Sequence, residues 1–236
     1  MKKVIKFLVC ITFVIVIVFS ASVNAMAVST GFSTSDMDSE QKSTIIEKLN
    51  ISLVSENINS KAIECFDVNE SGMIALGHYN GRQKAISIYD SEGNFKRGYS
   101  FMCDGSFGVE WDGDCLNIYI IRGNVLVAVD ESANIIDITR VEDTYENNDY
   151  MNDYIFATEK NIGNVKYSIR NDMGALNFIS SSYSQLVKST ADNEVILYSV
   201  NDTQTAKTVV IVVAVLLFAC VAVLVLIKTC KRKINH

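Results

Sequence analysis

The chain has 236 residues, of which 49% are hydrophobic and 20% are charged, with no proline, six cysteines and a formal net charge of −6. These proportions exclude a collagen-like or low-complexity protein, and because the apolar residues are concentrated in one block at each end, they also exclude a polytopic membrane protein. About 180 residues remain between the two blocks, which is room for one folded domain rather than for a multidomain enzyme.

The first 25 residues have the order of a secretory signal peptide. Lysines stand at positions 2, 3 and 6, the apolar run 7–19 follows, and small and polar residues lead to Ala25. The run has 13 residues, fewer than the roughly 20 that a helix needs to cross a bilayer, so an uncleaved anchor is disfavoured. We expect a signal peptide at 1–25 that is cleaved after Ala25 or after Ala27.

Residues 26–62 form a polar leader ahead of the main domain. Within it, residues 35–49 mix charged and polar side chains with a partial apolar stripe that includes Met37, Ile45 and Leu49. This spacing predicts one short helix in the leader.

From residue 63 the pattern changes to short β runs separated by turns of Asp, Asn, Glu, Ser and Gly, the residues that tight hairpins favour. The predicted strands are 63–68, 73–78, 85–89, 95–101, 107–111, 116–121, 125–129, 135–141, 165–169, 176–180, 184–188 and 194–200. The sequence therefore predicts a mainly β fold of antiparallel meanders, with the β ectodomain at 63–206.

The predicted strands also repeat along the chain. Residues 86–95 correspond to residues 126–135, which places Asp130 at an offset of 40 from Asp90. About 40 residues with four strands is the period of a propeller blade. Three such units span 63–102, 103–141 and 164–200, and 142–163 form an insert. The larger offset of 62 from Asp130 to Asp192 becomes 40 if the 22-residue insert is extra.

These repeats resemble those of extracytoplasmic β-propellers, especially propellers with an Asp-x-x-Gly hairpin between the outer strands, such as Asp90 to Gly93 here. The resemblance implies an incomplete, propeller-like arrangement of blade-like meanders, and an irregular sandwich is the alternative. The order of features is also similar to uncharacterised membrane-anchored extracytoplasmic proteins of low-GC Gram-positive bacteria, a group that implies no activity.

Four aromatic residues form the candidate binding surface: Trp111, Tyr145, Tyr150 and Tyr154. Exposed tyrosines are common in recognition surfaces, and a tryptophan can stack on a carbohydrate. The alternatives are structural. The insert that carries the three tyrosines is favoured as a helical end cap, and alternation with Val109 places Trp111 equally well in the core.

Residues with catalytic or metal-binding chemistry are sparse, and we expect no catalytic, cofactor or metal site. His78 is the only histidine before the tail, and Cys65, Cys103 and Cys115 lack the CxxC spacing of zinc and redox sites. We expect these thiols to be buried and free rather than bridged. Residues 67–72 resemble the start of a calcium loop, but His78 occupies the twelfth position, where such a loop needs a carboxylate.

A second apolar block, 208–227, contains 20 residues without a charge and would cover about 30 Å as a helix. The basic residues that follow it, Lys228, Lys231, Arg232 and Lys233, indicate the cytoplasmic side. We expect a transmembrane helix at 207–228, a cytoplasmic tail at 229–236, and a single-pass protein in the cell membrane with its N-terminal domain outside.

The predicted exterior is strongly acidic, since residues 26–206 carry 13 Lys and Arg against all 27 Asp and Glu, a balance of −14. This balance disfavours nucleic acid as a partner. We predict a non-enzymatic surface module that contacts the lipid bilayer through 208–227 and binds a protein or glycan, with a homo-oligomer left open. The alternative is an accessory subunit docked on a larger membrane complex through its helix, and an exported hydrolase is less favoured.

Overall fold

A computed structural model describes residues 28–57, 61–172, 174, 177 and 182–234, apart from the side chains of residues 80, 204 and 224–234. The predicted signal peptide and most of the predicted strand 176–180 lie outside these residues. The described part is mainly β, with three antiparallel sheets that do not close into a ring and one long apolar helix at the C-terminus.

The leader contributes the elements β1 (Thr34–Asp36), α1 (Ser39–Leu49) and β2 (Ser52–Val54). Asp38 caps the predicted helix, because its side chain accepts a hydrogen bond of 2.8 Å from the backbone N–H of Gln41. Asn50 ends the helix in the left-handed conformation with φ of 45°. The two short strands were not predicted. They add to the outer strands of two different sheets, so the leader covers two edges that would otherwise be exposed.

Each sheet contains one four-stranded antiparallel meander, in the order of the chain. The first sheet contains β3 (Cys65–Val68), β4 (Ile74–Asn80), β5 (Gln83–Tyr89) and β6 (Phe95–Met102), with β2 beside β6. The second contains β7 (Phe107–Asp112), β8 (Cys115–Ile120), β9 (Val125–Val129) and β10 (Ile135–Val141), with β1 beside β10. The third contains β11 (Glu159–Ile162), β12 (Val165–Arg170), β13 (Gln185–Ser189) and β14 (Glu194–Ser199).

The 40-residue offset corresponds to the same turn in two sheets. Oδ1 of Asp90 accepts hydrogen bonds from the N–H groups of Glu92 and Asn94, at 3.0 and 2.9 Å. Oδ1 of Asp130 accepts the two equivalent bonds, both at 2.8 Å. These turns join the third strand of each meander to the fourth, β5 to β6 and β9 to β10. An aspartate that bonds the backbone two and four residues ahead therefore explains the repeated sequence.

The third sheet differs from the prediction in its first strand. The prediction that all of 142–163 lies outside the repeat is wrong at its end, because Glu159–Ile162 form β11 and pair with β12. This strand is short and polar, so no hydrophobic alternation reveals it. The extra length also lies in two places. Seventeen residues separate β10 from β11 where four separate β6 from β7, and 14 separate β12 from β13 where four separate β8 from β9.

The first sheet is the middle layer of the domain. One of its faces packs on the second sheet in a core cluster that includes Ile86, Ile88, Tyr99, Phe101, Phe107, Val109, Ile118 and Val127. Its other face packs on the third sheet in a cluster that includes Phe66, Ile74, Leu76, Tyr167, Ile169 and Leu186. Burial of each large apolar side chain contributes about 1.5–3 kcal/mol, so these two interfaces hold the three sheets together.

The outer face of the second sheet is covered by the insert. After β10 the chain forms α2 (Tyr145–Tyr150) and a π-helical turn (Met151–Ile155). Ile155 is fully buried in a cluster with Tyr119 and Leu126, and a Cβ at Gly108 would overlap its Cγ2 atom. The strand β9 is buried along its whole length, so both of its faces are covered. The insert thus occupies the position that the end-cap interpretation predicts.

The last element is α3 (Asn201–Ile234), which follows β14 after the single residue Val200. Asn201 fastens this joint, because its Nδ2 donates to the backbone oxygen of Asp172 at 2.7 Å and its Oδ1 accepts from the Ser184 hydroxyl at 3.2 Å. The stretch Asn201–Val223 is long and apolar enough to cross a membrane. The predicted segment 208–227 lies within this helix.

Candidate functional site

The first strands of the three sheets meet at a polar junction, which we call the strand junction and which consists of Asp67, Glu110, Tyr150, Tyr154 and Lys160. Its three charged residues are buried, Tyr150 is half-buried, and Tyr154 is 39% exposed. The Lys160 ammonium lies 2.9 Å from Oδ1 of Asp67, and both side chains are almost entirely buried. The other oxygen of Asp67 accepts a 2.7 Å hydrogen bond from the backbone N–H of Trp111. One carboxylate thereby joins β3 to both β7 and β11.

Two tyrosines extend this junction towards the leader. The Lys160 ammonium lies 3.5 Å from the centre of the Tyr154 ring, and that ring stacks on Tyr150 with centres 5.0 Å apart. The Tyr150 hydroxyl donates to Oε1 of Glu110, and Oε2 of Glu110 accepts a 2.7 Å bond from the Thr30 hydroxyl. The network therefore runs without interruption from the third sheet to the leader.

Burial sets the protonation state of the tyrosines in the junction. Burial, with the negative charges of Asp67 and Glu110 in addition, raises the pKa of Tyr154 to about 12. Burial and the Glu110 carboxylate raise the pKa of Tyr150 well above its usual range. Both hydroxyls stay protonated near neutral pH, so neither acts as a base, and the Tyr150 hydroxyl donates to Glu110.

The four predicted surface residues lie in three different places. Tyr150 and Tyr154 come together in the strand junction. Tyr145 is 88% exposed at the start of α2. Trp111 is half-buried against the core between the first and second sheets. The structure does not bring the four into one patch, and the binding role of each stays a prediction.

The other candidates for chemistry are buried or half-buried. His78 is fully buried, and burial lowers its pKa to about 4. Cys65, Cys103 and Cys115 are free thiols, as predicted, and burial raises the pKa of each. Cys65 and Cys103 are also buried as predicted, whereas Cys115 is only half-buried. Within the described ranges, no three His, Cys, Asp or Glu side chains are placed to hold a metal ion.

A second feature is an open groove of about 1130 Å³ between α1 and the ends of the first two sheets. We call it the basal groove. Apolar side chains from three sources line it: Met37, Ile45 and Leu49 from the leader, Met102 and Cys103 from the first sheet, and Ile120 and Val125 from the second. The groove thus has an apolar floor of nearly buried side chains, beside which Met102 is 42% exposed.

Four cations and three carboxylates also line the groove: Lys48, Arg82, Arg122 and Arg140, with Asp38, Glu40 and Asp104. Arg82 pairs with Asp104, with its Nε atom 2.9 Å from Oδ1 and its terminal nitrogen 3.2 Å from Oδ2. In the described part of the chain, no carboxylate lies within ion-pair distance of the other three. The remaining arginines of the β-domain, Arg97 and Arg170, pair with glutamates at 3.1 and 2.7 Å. The unpaired arginines therefore both line the basal groove.

These groove residues were not predicted from the sequence, although one signal pointed to them. Arg122 follows Arg82 at the same offset of 40 that relates Asp130 to Asp90. Both arginines lie in the hairpin between the second and third strands of a meander, so the repeat places them at the same end of two sheets. Lys48 and Arg140 join them only through the packing of α1 and β1, which no local pattern reveals.

Comparison of this chain with protein-family models, with curated proteins and with solved structures finds no match. The resemblance to propeller repeats therefore rests on the sequence pattern alone and stays a prediction.

Proposed function

We propose that this chain is a single-pass, membrane-anchored β-domain outside the cytoplasm that binds a ligand or protein and catalyses no reaction. The observation that carries the proposal is the direct passage of β14 into α3, a helix with a 23-residue stretch, Asn201–Val223, suited to a bilayer. Because only Val200 separates strand from helix, the β-domain would sit close to the membrane surface.

The side chains of the helix support this anchoring. Large apolar residues of α3 stay exposed in the folded chain, among them Val210, Ile211, Val215, Leu216, Leu217 and Phe218. An apolar surface of this length would be costly in water and is suited to lipid. The basic residues that follow the apolar block 208–227, at the C-terminal end of α3, favour a cytoplasmic C-terminus, so the β-domain would lie on the other side.

We also propose that the three meanders are blade-like units of an incomplete propeller. Each is a four-stranded antiparallel meander, and their first strands converge at the strand junction. The insert supports this arrangement because it contacts two sheets. Ile155 packs on the second sheet, and Tyr154 lies beneath Lys160 of the third. A helical segment would then occupy the opening that a further blade fills in a closed ring.

The chemistry of the described side chains supports binding over catalysis. General acid–base or nucleophilic catalysis uses a group that changes its protonation near working pH and can reach a substrate. His78 is inaccessible, the buried thiols stay protonated, and the junction tyrosines are held by Lys160 and Glu110. Glu64 is the exception, because burial raises its pKa to about 7 while the residue stays half-buried. The basal groove offers an apolar floor with four cations and three carboxylates in its lining, which suits recognition.

Protease protection in intact cells tests the topology. A protease added from outside should degrade the β-domain, while a tag fused after His236 should remain until the cells are permeabilised. Permeabilised cells, in which both parts should be digested, are the control. Digestion of the tag in intact cells, or protection of the β-domain, would contradict the proposal.

A further inference from the structure

We infer that the basal groove binds a short acidic peptide of a partner protein, with carboxylates at Lys48, Arg122 and Arg140 and an apolar side chain on the groove floor. This inference rests on the proposed role as a binding module and names the chemistry of its ligand. The charges, the floor and the size of the groove support it in turn.

The cations without an ion-pair partner are concentrated at the basal groove. Residues 26–206 carry 27 carboxylates and 13 cations, so an arginine has many potential partners nearby. Arg122 and Arg140 nevertheless remain without one among the described residues, as does Lys48, and all three border the same groove. A guanidinium binds a carboxylate bidentately, so the groove presents free sites for acidic side chains.

The apolar floor of the groove favours a peptide as the ligand over a charged polymer that has no apolar groups. Leu49, Ile120 and Val125 are at most 7% exposed and form the base of the groove. A polyphosphate or similar chain has no apolar group to place there. Met37 and Met102 stand at the walls, and flexible methionine side chains adapt to the varied shapes of bound peptides. An acidic peptide with an aliphatic or aromatic residue uses both features.

The size of the groove also favours a peptide over a small molecule. The groove encloses about 1130 Å³, whereas sites for small molecules usually enclose about 300–1,000 Å³. A single carboxylic acid would reach one cation and leave the others unpaired. Several residues of an extended chain can contact the cations on α1, on the β8–β9 hairpin and on β10 at once.

The acidic remainder of the domain adds selectivity. Residues 26–206 have a balance of −14, whereas the groove lining carries four cations against the carboxylates of Asp38, Glu40 and Asp104. An acidic peptide is therefore favoured where its carboxylates meet the cations of the groove, because placements elsewhere on the domain bring like charges together.

The test uses the full chain in nanodiscs of phosphatidylcholine, a zwitterionic lipid that offers no competing anionic surface. Random twelve-residue peptides displayed on phage are selected on this protein. We expect the enriched peptides to combine two or more Asp or Glu with a large apolar residue. Their affinity for the variant R122E/R140E should fall by more than about tenfold, because the new charges repel the ligand.

The matched control is K96E/K166E, which changes the net charge equally at exposed lysines outside the groove. It should change affinity less than about twofold, since distant surface charges are screened by salt. Circular dichroism and thermal melting check that both variants fold. Both variants should fold, because the substituted residues are exposed or form ion pairs only at the surface.

Several outcomes would overturn the inference. These are the absence of enriched peptides, enrichment of peptides without acidic residues, binding that survives R122E/R140E, and an equal loss in the control variant. Equal binding of polyglutamate, which has no apolar residue, would show that only charge is recognised. Protease protection is an independent measurement, so a wrong topology would leave peptide binding in nanodiscs intact and would be recognised as a separate failure.

Discussion

At residue 133 an alanine occupies a backbone conformation that ordinarily belongs to glycine. Ala133 has φ of 67° in the Asp130 turn, and the equivalent residue of the Asp90 turn is Gly93 with φ of 82°. A non-glycine residue in this region carries strain of about 1 kcal/mol or more. The two turns have the same hydrogen bonds, so they form a natural pair for comparing glycine with alanine.

We predict that Ala133→Gly raises the free energy of unfolding by about 0.5 kcal/mol, since relief of strain exceeds the entropy added to the unfolded chain. The reciprocal variant Gly93→Ala should lower it by about 1 kcal/mol or more, because it adds strain and its Cβ would approach the Leu197 backbone oxygen to 3.0 Å. Urea denaturation measures both. A loss of stability in Ala133→Gly would show that this turn is not strained.

His78 makes the stability of the fold depend on pH. Its Nδ1 atom lies 3.1 Å from the Ala62 backbone oxygen, and its buried Nε2 atom has no hydrogen-bond partner among the described residues. Burial is the main reason that its pKa falls from 6.5 to about 4, and the positive charge of Lys61 contributes. The folded state therefore binds a proton less readily than the unfolded state.

This lowered pKa gives the sign of the effect. Its contribution to stability is complete above pH 6.5 and is lost progressively as the pH falls towards 4, by about 2 kcal/mol at pH 5. We predict that His78→Gln, although less stable at pH 7.5, loses about 2 kcal/mol less than the native chain between pH 7.5 and pH 5. Urea denaturation at the two pH values checks this, and equal losses in both proteins would refute it.

At the scale of elements, the ion pair of Asp67 and Lys160 links β3 to β11. Both side chains are nearly inaccessible to water, so removal of one partner leaves an uncompensated charge. We predict that Lys160→Met lowers the free energy of unfolding by about 3–5 kcal/mol.

The double variant D67N/K160M provides the control for this prediction. The amide that replaces the Asp67 carboxylate keeps one oxygen, which can still accept the hydrogen bond from the Trp111 N–H. The double variant should recover at least about half of the loss, since no charge remains buried. Chemical denaturation of the three proteins measures the effect, and a double variant no more stable than Lys160→Met would indicate that packing of the lysine dominates.

The sequence predicted those strands whose residues alternate or stay apolar and whose turns carry Asp or Gly. The bounds of β9 and β10 are as predicted, and most others differ by one or two residues. Three strands were missed: β1, β2 and β11, each three or four residues long. β1 and β11 are largely polar, and β2 has only the three residues Ser52–Val54. All three are stabilised by pairing with a neighbour, so their own sequences carry little signal.

At the scale of the whole molecule, the repeat does not determine which sheets are neighbours. The chain makes the first sheet, then the second, then the third, yet the first lies between the other two. Both faces of the first sheet are apolar. The sequence pattern of residues 65–101 contains this feature, but it does not show which sheet packs on each face. The basal groove was beyond prediction for the same reason, because α1 reaches it from a leader more than 30 residues earlier in the chain than Arg82.

The domain is held together without a covalent cross-link among the described cysteines. Cys65, Cys103, Cys115 and Cys220 are all free. We predict that a reducing agent leaves the melting temperature of the full chain in nanodiscs unchanged. Calorimetry with and without the reductant measures this. A fall of several degrees would reveal a disulfide, and the comparison needs no variant because the same preparation is used twice.

The single-residue joint between β14 and α3 fixes the orientation of the β-domain about the axis of the helix. An α-helix turns by about 100° and rises about 1.5 Å for each residue. Because the side chain of Asn201 fastens the first turn of the helix to Asp172 and Ser184, that rotation passes to the β-domain. One alanine inserted after Thr205 would rotate the basal groove by about 100° about the helix axis, relative to the lower part of α3. Four inserted alanines would nearly restore its original orientation. A neighbouring protein that binds one face of the lower helix would therefore contact the groove or not, depending on the number of inserted residues and with the period of the helix.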